Sequence, residues 1–323
     1  MHVRRGFISW GVFLICVGAV PLAVQLNVID RDTAASLLRL WPLVLIGIGL
    51  GLLLRFTRAQ ALGGFVVAAT FGVLVGVFLA GGTAGFGDCG SGPATGQSRT
   101  ASGSVESIAR VRLEISCADV TVTQASDMTW QAVATAERPP RVEQVGDLLT
   151  MTSADQPTVF WLAGRTRESW RVTLPATLDT TYVTLNAARA TFEFGSGPVL
   201  LFSGTFNAAD VRLDLGSADM GNGPLNMVLN ASTARVTLPA GGLGAAGSVT
   251  VNASTVDLCT APELGLRITY DDTLSSQNFA EAGLTQSGKT WQSANYGSAI
   301  ARAELHISAN VSTTNLNPAG GCQ

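Results

Sequence analysis

A short phrase is written four times in one chain of 323 residues. "LNAARATFEF" (185–194), "FNAADVRLDL" (206–215), "LNASTARVTL" (229–238) and "VNASTVDLCT" (251–260) align on Asn186, Asn207, Asn230 and Asn252, at steps of 21, 23 and 22 residues. Alanine follows the asparagine each time (Ala187, Ala208, Ala231, Ala253), and a large apolar residue precedes it (Leu185, Phe206, Leu229, Val251). Positions four and six after the asparagine are apolar (Ala190 and Phe192, Val211 and Leu213, Ala234 and Val236, Val256 and Leu258), with polar residues between them. Alternation at period two is a strand signal, and the change of phase after the alanine requires a bend. "GSGP" (195–198), "GNGP" (221–224) and "PAGGLG" (239–244) supply turns. A period near 22 without helix signals predicts a β-solenoid, each coil adding a rung of about 4.8 Å. Fainter copies stand at "ISCADVTV" (115–122) and "HISANVST" (306–313). The segments "WQAVATAE" (130–137), "DLLTMTSA" (147–154) and "SWRVTLPA" (169–176) read as a meander leading into the stack. Stacking should set Arg189 beside Asp210, and Thr233 beside Thr255.

The N-terminal quarter has another character. The chain is 47% hydrophobic and 13% charged, too apolar for a wholly soluble protein. Residues 7–87 carry only Asp30, Arg31, Asp32, Arg39, Arg55 and Arg58 as charges. The uncharged run 7–26 has the length of a hydrocarbon core of about 30 Å. A second run, 41–54, reaches spanning length if extended back to 34 with Arg39 at the interface. A third has its core at 61–80. Further hydrophobic runs after the first argue for a retained span rather than a cleaved signal. Arg4, Arg5, Arg55 and Arg58 flank the spans on one side, which places the N-terminus in the cytoplasm and everything after about residue 82 outside. Gly47 with Gly51, and Gly72 with Gly76, form small-xxx-small pairs that suit span packing. The expected organisation is a three-helix membrane domain (1–82), a flexible Gly/Ser/Thr linker (83–105) and an extracytoplasmic all-β domain (106–323).

Residues 106–323 hold 13 Lys and Arg against 20 Asp and Glu, a net charge of −7. No basic surface is available to replace phosphate counterions, so nucleic acid is excluded as a partner. The lipid bilayer is the first expected partner. No catalytic or cofactor motif is present, and neither the cysteines nor His2 and His306 have metal-site spacing. The chain reads as a non-enzyme with no cofactor and no metal. Asp271 and Asp272 read as a solvated turn after "LGLRITY", with a weak cation site as the other reading. Sequons at Asn230, Asn252 and Asn310 follow from the repeat itself. Cys16 lies in a span, and the residues before Cys89 do not suit lipidation. Cys89, Cys117, Cys259 and Cys322 fall outside the membrane, where disulfides form; four cysteines allow three pairings. At least three rungs separate the coils of Cys117 and Cys259, which is too far for a bond. The favoured pairing is Cys89–Cys117 and Cys259–Cys322. The stretch 271–299 breaks the rhythm and carries Phe279, Trp291 and Tyr296. These rings form either a recognition surface or a cover for the open end of the stack.

"RRGFISWGVFLICVGAV" and "LLRLWPLVLIGIGLGLLL" resemble the LiaI/LiaF-like transmembrane region of bacterial envelope proteins. "VNASTVDLCTAPELGLRITYDD", continuing to "AELHISAN", resembles the C-terminal β domain of LiaF-type envelope stress-response proteins and related adhesin-like β-solenoids. The likeness spans about 5–80 and 180–316 of the chain. It implies a multi-pass protein of the bacterial cytoplasmic membrane, and some family members restrain a sensor kinase. Two functions follow as expectations. One is a cell-envelope stress sensor or regulator acting on a membrane partner such as a sensor kinase. The alternative is an adhesin-type surface module that binds cell-wall polymer or another surface.

Overall fold

The computed structural model describes residues 14–15, 89, 92–154, 166–221 and 223–322. The three expected spans, apart from 14–15, and residues 83–88 and 90–91 of the linker lie outside the described residues. Among those described, no helix is long and apolar enough to cross a membrane. The chain divides into two units, Met1–Asp88 with Thr158–Gly164, and Cys89–Pro157 with Arg165–Gln323. The second unit is all β.

Its strands, in chain order, are β1 (Gln97–Ser104), β2 (Ala109–Ser116), β3 (Ala118–Gln124), β4 (Thr129–Ala136), β5 (Arg141–Val145), β6 (Leu148–Thr152) and β7 (Glu168–Leu174). Next come β8 (Leu178–Asn186), β9 (Arg189–Glu193), β10 (Val199–Asn207), β11 (Asp210–Asp214), β12 (Leu225–Asn230), β13 (Thr233–Thr237), β14 (Gly247–Asn252) and β15 (Thr255–Cys259). The last are β16 (Gly265–Thr273), β17 (Ser276–Gln277), β18 (Thr285–Ser287), β19 (Thr290–Gln292), β20 (Arg302–Asn310) and β21 (Thr313–Leu316). Two mixed sheets face each other across one core. One runs β1-β4-β7-β3-β9-β11-β13-β15-β21-β17, and the other β18-β19-β16-β20-β14-β12-β10-β8-β2-β6-β5.

Each repeat places one strand in each sheet, joined by a corner. Asn186, Asn207, Asn230, Asn252 and Asn310 are successive register partners in parallel pairs. Their side chains form a ladder: the Nδ2 of Asn207, Asn230, Asn252 and Asn310 each donates to the Oδ1 of the preceding asparagine at 2.8–2.9 Å. Asn186 donates to Ser116 Oγ at the start. The residue after the ladder turns the corner in a left-handed backbone conformation. Cys117, Ala187, Ala208, Ala231, Ala253, Val311 and Leu274 have φ between 46° and 59°. That geometry disfavours side chains. Here it is held because every corner N–H but that of Leu274, on the terminal rung, keeps its bond to the next rung, as in Ala187 N to Asn207 O and Ala208 N to Asn230 O, both 2.9 Å. The serines of the last repeats close the corner from inside. Ser232 Oγ accepts from Ala209 N at 3.0 Å, and Ser254 Oγ from Ser232 N at 2.9 Å. The sequons are thus part of this scaffold, their asparagine amides engaged in the ladder.

The turns explain their glycines. A Cβ on Gly223 would lie 1.3 Å from Leu200 O, and one on Gly197 2.0 Å from Ala176 O. The chain crosses the preceding rung there at backbone contact distance. Gly223→Ala is expected to cost about 3 kcal/mol, the upper range for overpacking. Gly241→Ala, with nothing within 4 Å of its Cβ, should leave the melting temperature unchanged. Thermal unfolding of the two variants side by side measures the difference, and equal melting temperatures would refute the close crossing.

The structure departs from the sequence reading in three places. The linker is expected to extend to residue 105, yet Gln97–Ser104 is a strand paired antiparallel with β4. It is an exposed edge, so its side chains carry no apolar pattern. The segments containing β6 and β7 do not lead into the first strong repeat. They stack on the far side of β2 and β3, in parallel, while β8 and β9 pair directly with β2 and β3. Glu168 is buried at this level, where its carboxylate accepts from Trp170 Nε1 (2.7 Å), Ser153 Oγ (2.9 Å) and Ala154 N (3.3 Å). Asp271 and Asp272 are not in a turn. They lie within β16, which pairs with β20 as a further rung, so the chain places its last rung before its penultimate one.

Arg189 stands opposite Asp210 in register, with Nε–Oδ2 at 4.0 Å, and also faces Asp119 at 3.9 Å. These groups are largely exposed, and such pairs contribute roughly 0–1 kcal/mol. Thr233 stands opposite Thr255.

Candidate functional site

The stretch that breaks the repeat builds the end of the domain. After the corner at Leu274, β17 adds two residues to one sheet, and the chain then leaves it. The hairpin of β18 and β19 turns at Gly288, whose φ of 61° suits glycine, and β19 pairs antiparallel with β16. Between hairpin, β16, β17 and β20 lies an open groove of about 830 Å³.

Its underside is aromatic. Phe279 is fully buried, with Tyr270 edge-on at 5.3 Å and Trp291 at 5.7 Å between ring centroids. Trp291 and Tyr296 are each only 7% exposed. Tyr296 lies apart from the other rings: its hydroxyl donates to Glu304, and the Arg267 guanidinium sits 4.1 Å above its ring. Burial is the first cause holding the Tyr296 and Tyr270 hydroxyls above the usual tyrosine range. The three rings singled out in the sequence are therefore buried at this end of the domain, and Trp291 also lines the groove. The reason is the extra rung. β16 presents Ile268 and Tyr270 to the interior, and the excursion folds over them.

The groove wall is polar. Lys289, the chain's one lysine, donates to Asp271, and His306 Nε2 lies 3.6 Å from the same carboxylate. The Lys289 hydrogen bond holds the Asp271 carboxyl below its ordinary range and raises the lysine. Asp272, Thr273, Ser308 and Asn310 complete this side. Beyond the lip, Leu274 and Val311 occupy the left-handed corner column, 85% and 64% exposed. A β-branched residue in that region is an outlier; here its N–H bond to Thr273 O, at 2.9 Å, holds it. The sequence signals for this site were indirect: a single lysine, and Thr273 where the column requires asparagine.

The cysteines lie in two rungs toward opposite ends of the stack. Cys89 is bonded to Cys117, and Cys259 to Cys322. Cys259 belongs to an outward column yet is only 4% exposed, because the C-terminal segment covers it. Among the described residues no group of three or more His, Cys, Asp or Glu side chains could hold a metal ion. Nor does the groove hold a paired nucleophile and base.

Residues 8–53 match the model of the LiaI-LiaF-like transmembrane region. The chain carries a membrane anchor. No curated protein matches it. Among solved structures, a protein provisionally named for cell adhesion from Clostridium sporogenes is 12% identical, covering 68% of this chain and 99% of its own, with a TM-score of 0.42. A provisionally named adhesin from Bacteroides fragilis is 8% identical over 69% of this chain and 98% of its own, with a TM-score of 0.30.

Proposed function

We propose that the chain is a non-enzymatic envelope protein of the bacterial cytoplasmic membrane. Three spans within 1–82 anchor it, and a linker carries a β-solenoid of about 22-residue coils outside the cell. The observation that carries this reading is the pair of disulfides in the domain that follows a transmembrane region. Such bonds persist in oxidising compartments, and the arginines at 4, 5, 55 and 58 favour the same orientation. The domain acts as an envelope-stress sensor or regulator, working through its membrane region on a partner such as a sensor kinase. A second reading, an adhesin-type module that binds cell-wall polymer, is favoured by the polar groove at the β16 end of the stack.

Orientation is tested with a reporter joined after Gln323 that is active only outside the cytoplasm. Activity is expected there, and a cytoplasmic signal would overturn both the three-span count and the placement. Purification of the full chain in mild detergent separates the two roles. A stoichiometric membrane kinase supports regulation, and retention of wall polymer supports the binding module.

A further inference from the structure

The amide ladder ends on an open acceptor. From Asn186 to Asn252, each Oδ1 receives the Nδ2 of the next rung. Asn310 donates to Asn252, but its own rung partner is Thr273, which has no amide to return. Among the described residues no donor reaches Asn310 Oδ1, and Asn310 is exposed and lines the groove. Asp272 lines the same groove as a second acceptor. Asp271 is already matched by Lys289 and faced by His306, whereas Asp272 is exposed and has no ion-pair partner among the described residues. Gln286 and Ser308 add an amide and a hydroxyl, and Trp291 adds a strip of apolar wall. The volume, about 830 Å³, is within the range of ligand sites.

We propose that this groove binds a neutral, polyhydroxylated sugar, a short stretch of glycan chain. Sugar hydroxyls donate to Asn310 Oδ1 and Asp272, and accept from the Gln286 amide and Ser308. The apolar C–H face of the sugar ring rests against the tryptophan edge. Charge decides against the other ligands. An anionic sugar would meet the exposed Asp272 carboxylate on a domain of net charge −7. A strongly cationic peptide would find one of the two carboxylates already neutralised by Lys289. The inference deepens the binding-module reading by naming the site and the chemistry. It does not depend on which side of the membrane the domain faces.

The test is titration calorimetry on the full chain in detergent micelles. Four oligomers are compared: an N-acetylglucosamine tetramer, a glucose tetramer, a glucuronate tetramer and a lysine-rich peptide. Saturable binding of either neutral tetramer is expected. The acetylated one points to a cell-wall source, and the glucose one to an external polymer. Asp272→Ala should weaken binding about tenfold by removing a charged acceptor, with no change in melting temperature. Gln286→Ala, a second exposed position, should weaken it less, and keeps the test valid if the first variant misfolds. Glu106→Ala, outside the groove, should bind as the unaltered chain does. The proposal is overturned if neither neutral tetramer binds the folded chain, if the glucuronate or the peptide binds better, or if both groove variants bind unchanged. A cytoplasmic reporter signal would sink the span count and the orientation and leave this result standing.

Discussion

Replacing Phe279 by alanine is expected to destabilise the β domain by about 3–5 kcal/mol, the range for deleting a buried aromatic ring. The ring is fully buried and makes edge contacts with Tyr270 and Trp291. It sits where the last rung would otherwise expose its interior face, so no further layer exists to collapse into the space. Phe279→Leu retains most of the volume and should cost less than half as much. Because Tyr270 and Trp291 both border the groove, alanine should also abolish sugar binding, whereas leucine should weaken it only partly. Urea unfolding of the three proteins gives the comparison. A loss below about 1 kcal/mol for alanine would mean that the excursion rests loosely on the core, and would reopen it as a mobile recognition loop.

The repeated asparagine was legible because its physics is local and repeated. An amide ladder needs the same residue at every rung, and a left-handed corner outside it favours a small one. Both demands write a column into the sequence, and Asn186, Asn207, Asn230 and Asn252 are register partners in the fold. The order of the outer rungs was not legible. β6 and β7 lack the asparagine column, and their partners β2 and β3 lie behind them in the chain, so no fixed step relates them. At the other end β16 forms the terminal rung although β20 follows it in sequence. Its corner residue is Leu274 rather than alanine, and Thr273 replaces the asparagine. The features that hid this rung are the ones that leave the groove with a free acceptor. Phe279, Trp291 and Tyr296 could be singled out by composition, but not assigned to cover or surface. That depends on a rung that the repeat pattern does not announce.

Removing the Cys259–Cys322 bond is expected to cost about 4 kcal/mol. The bond closes 63 residues of sequence, and loops between about 15 and 100 residues are worth roughly 3 to 4.7 kcal/mol in the chain-entropy account. The segment it encloses holds the last two rungs at the groove end, β20 with β21 and the reversed β16 with β17, and the β18–β19 hairpin. Without the bond, among the described residues the chain after β21 is tied to the stack by Asn317 alone, with its N–H to Leu258 O at 2.8 Å, its Oδ1 accepting from Thr260 N at 2.8 Å and its Nδ2 donating to Thr260 Oγ1 at 3.0 Å. Cys259→Ser with Cys322→Ser should therefore unfold at lower denaturant, and strand pairs at this end should exchange their amide hydrogens first. The Cys89–Cys117 bond spans only 28 residues, and its loss should cost about 3.5 kcal/mol on the same account. It would act at the other end, where β1 is an exposed edge. Reductant should thus loosen both ends while the central rungs, β8 to β13, remain protected. Uniform protection with and without reductant would show that the bonds add nothing to either end, and would take away the stability argument for an oxidising compartment. A Cys117–Cys259 peptide in non-reducing digests would be more damaging: those residues lie in rungs separated by three others, and the order of the whole stack would have to change.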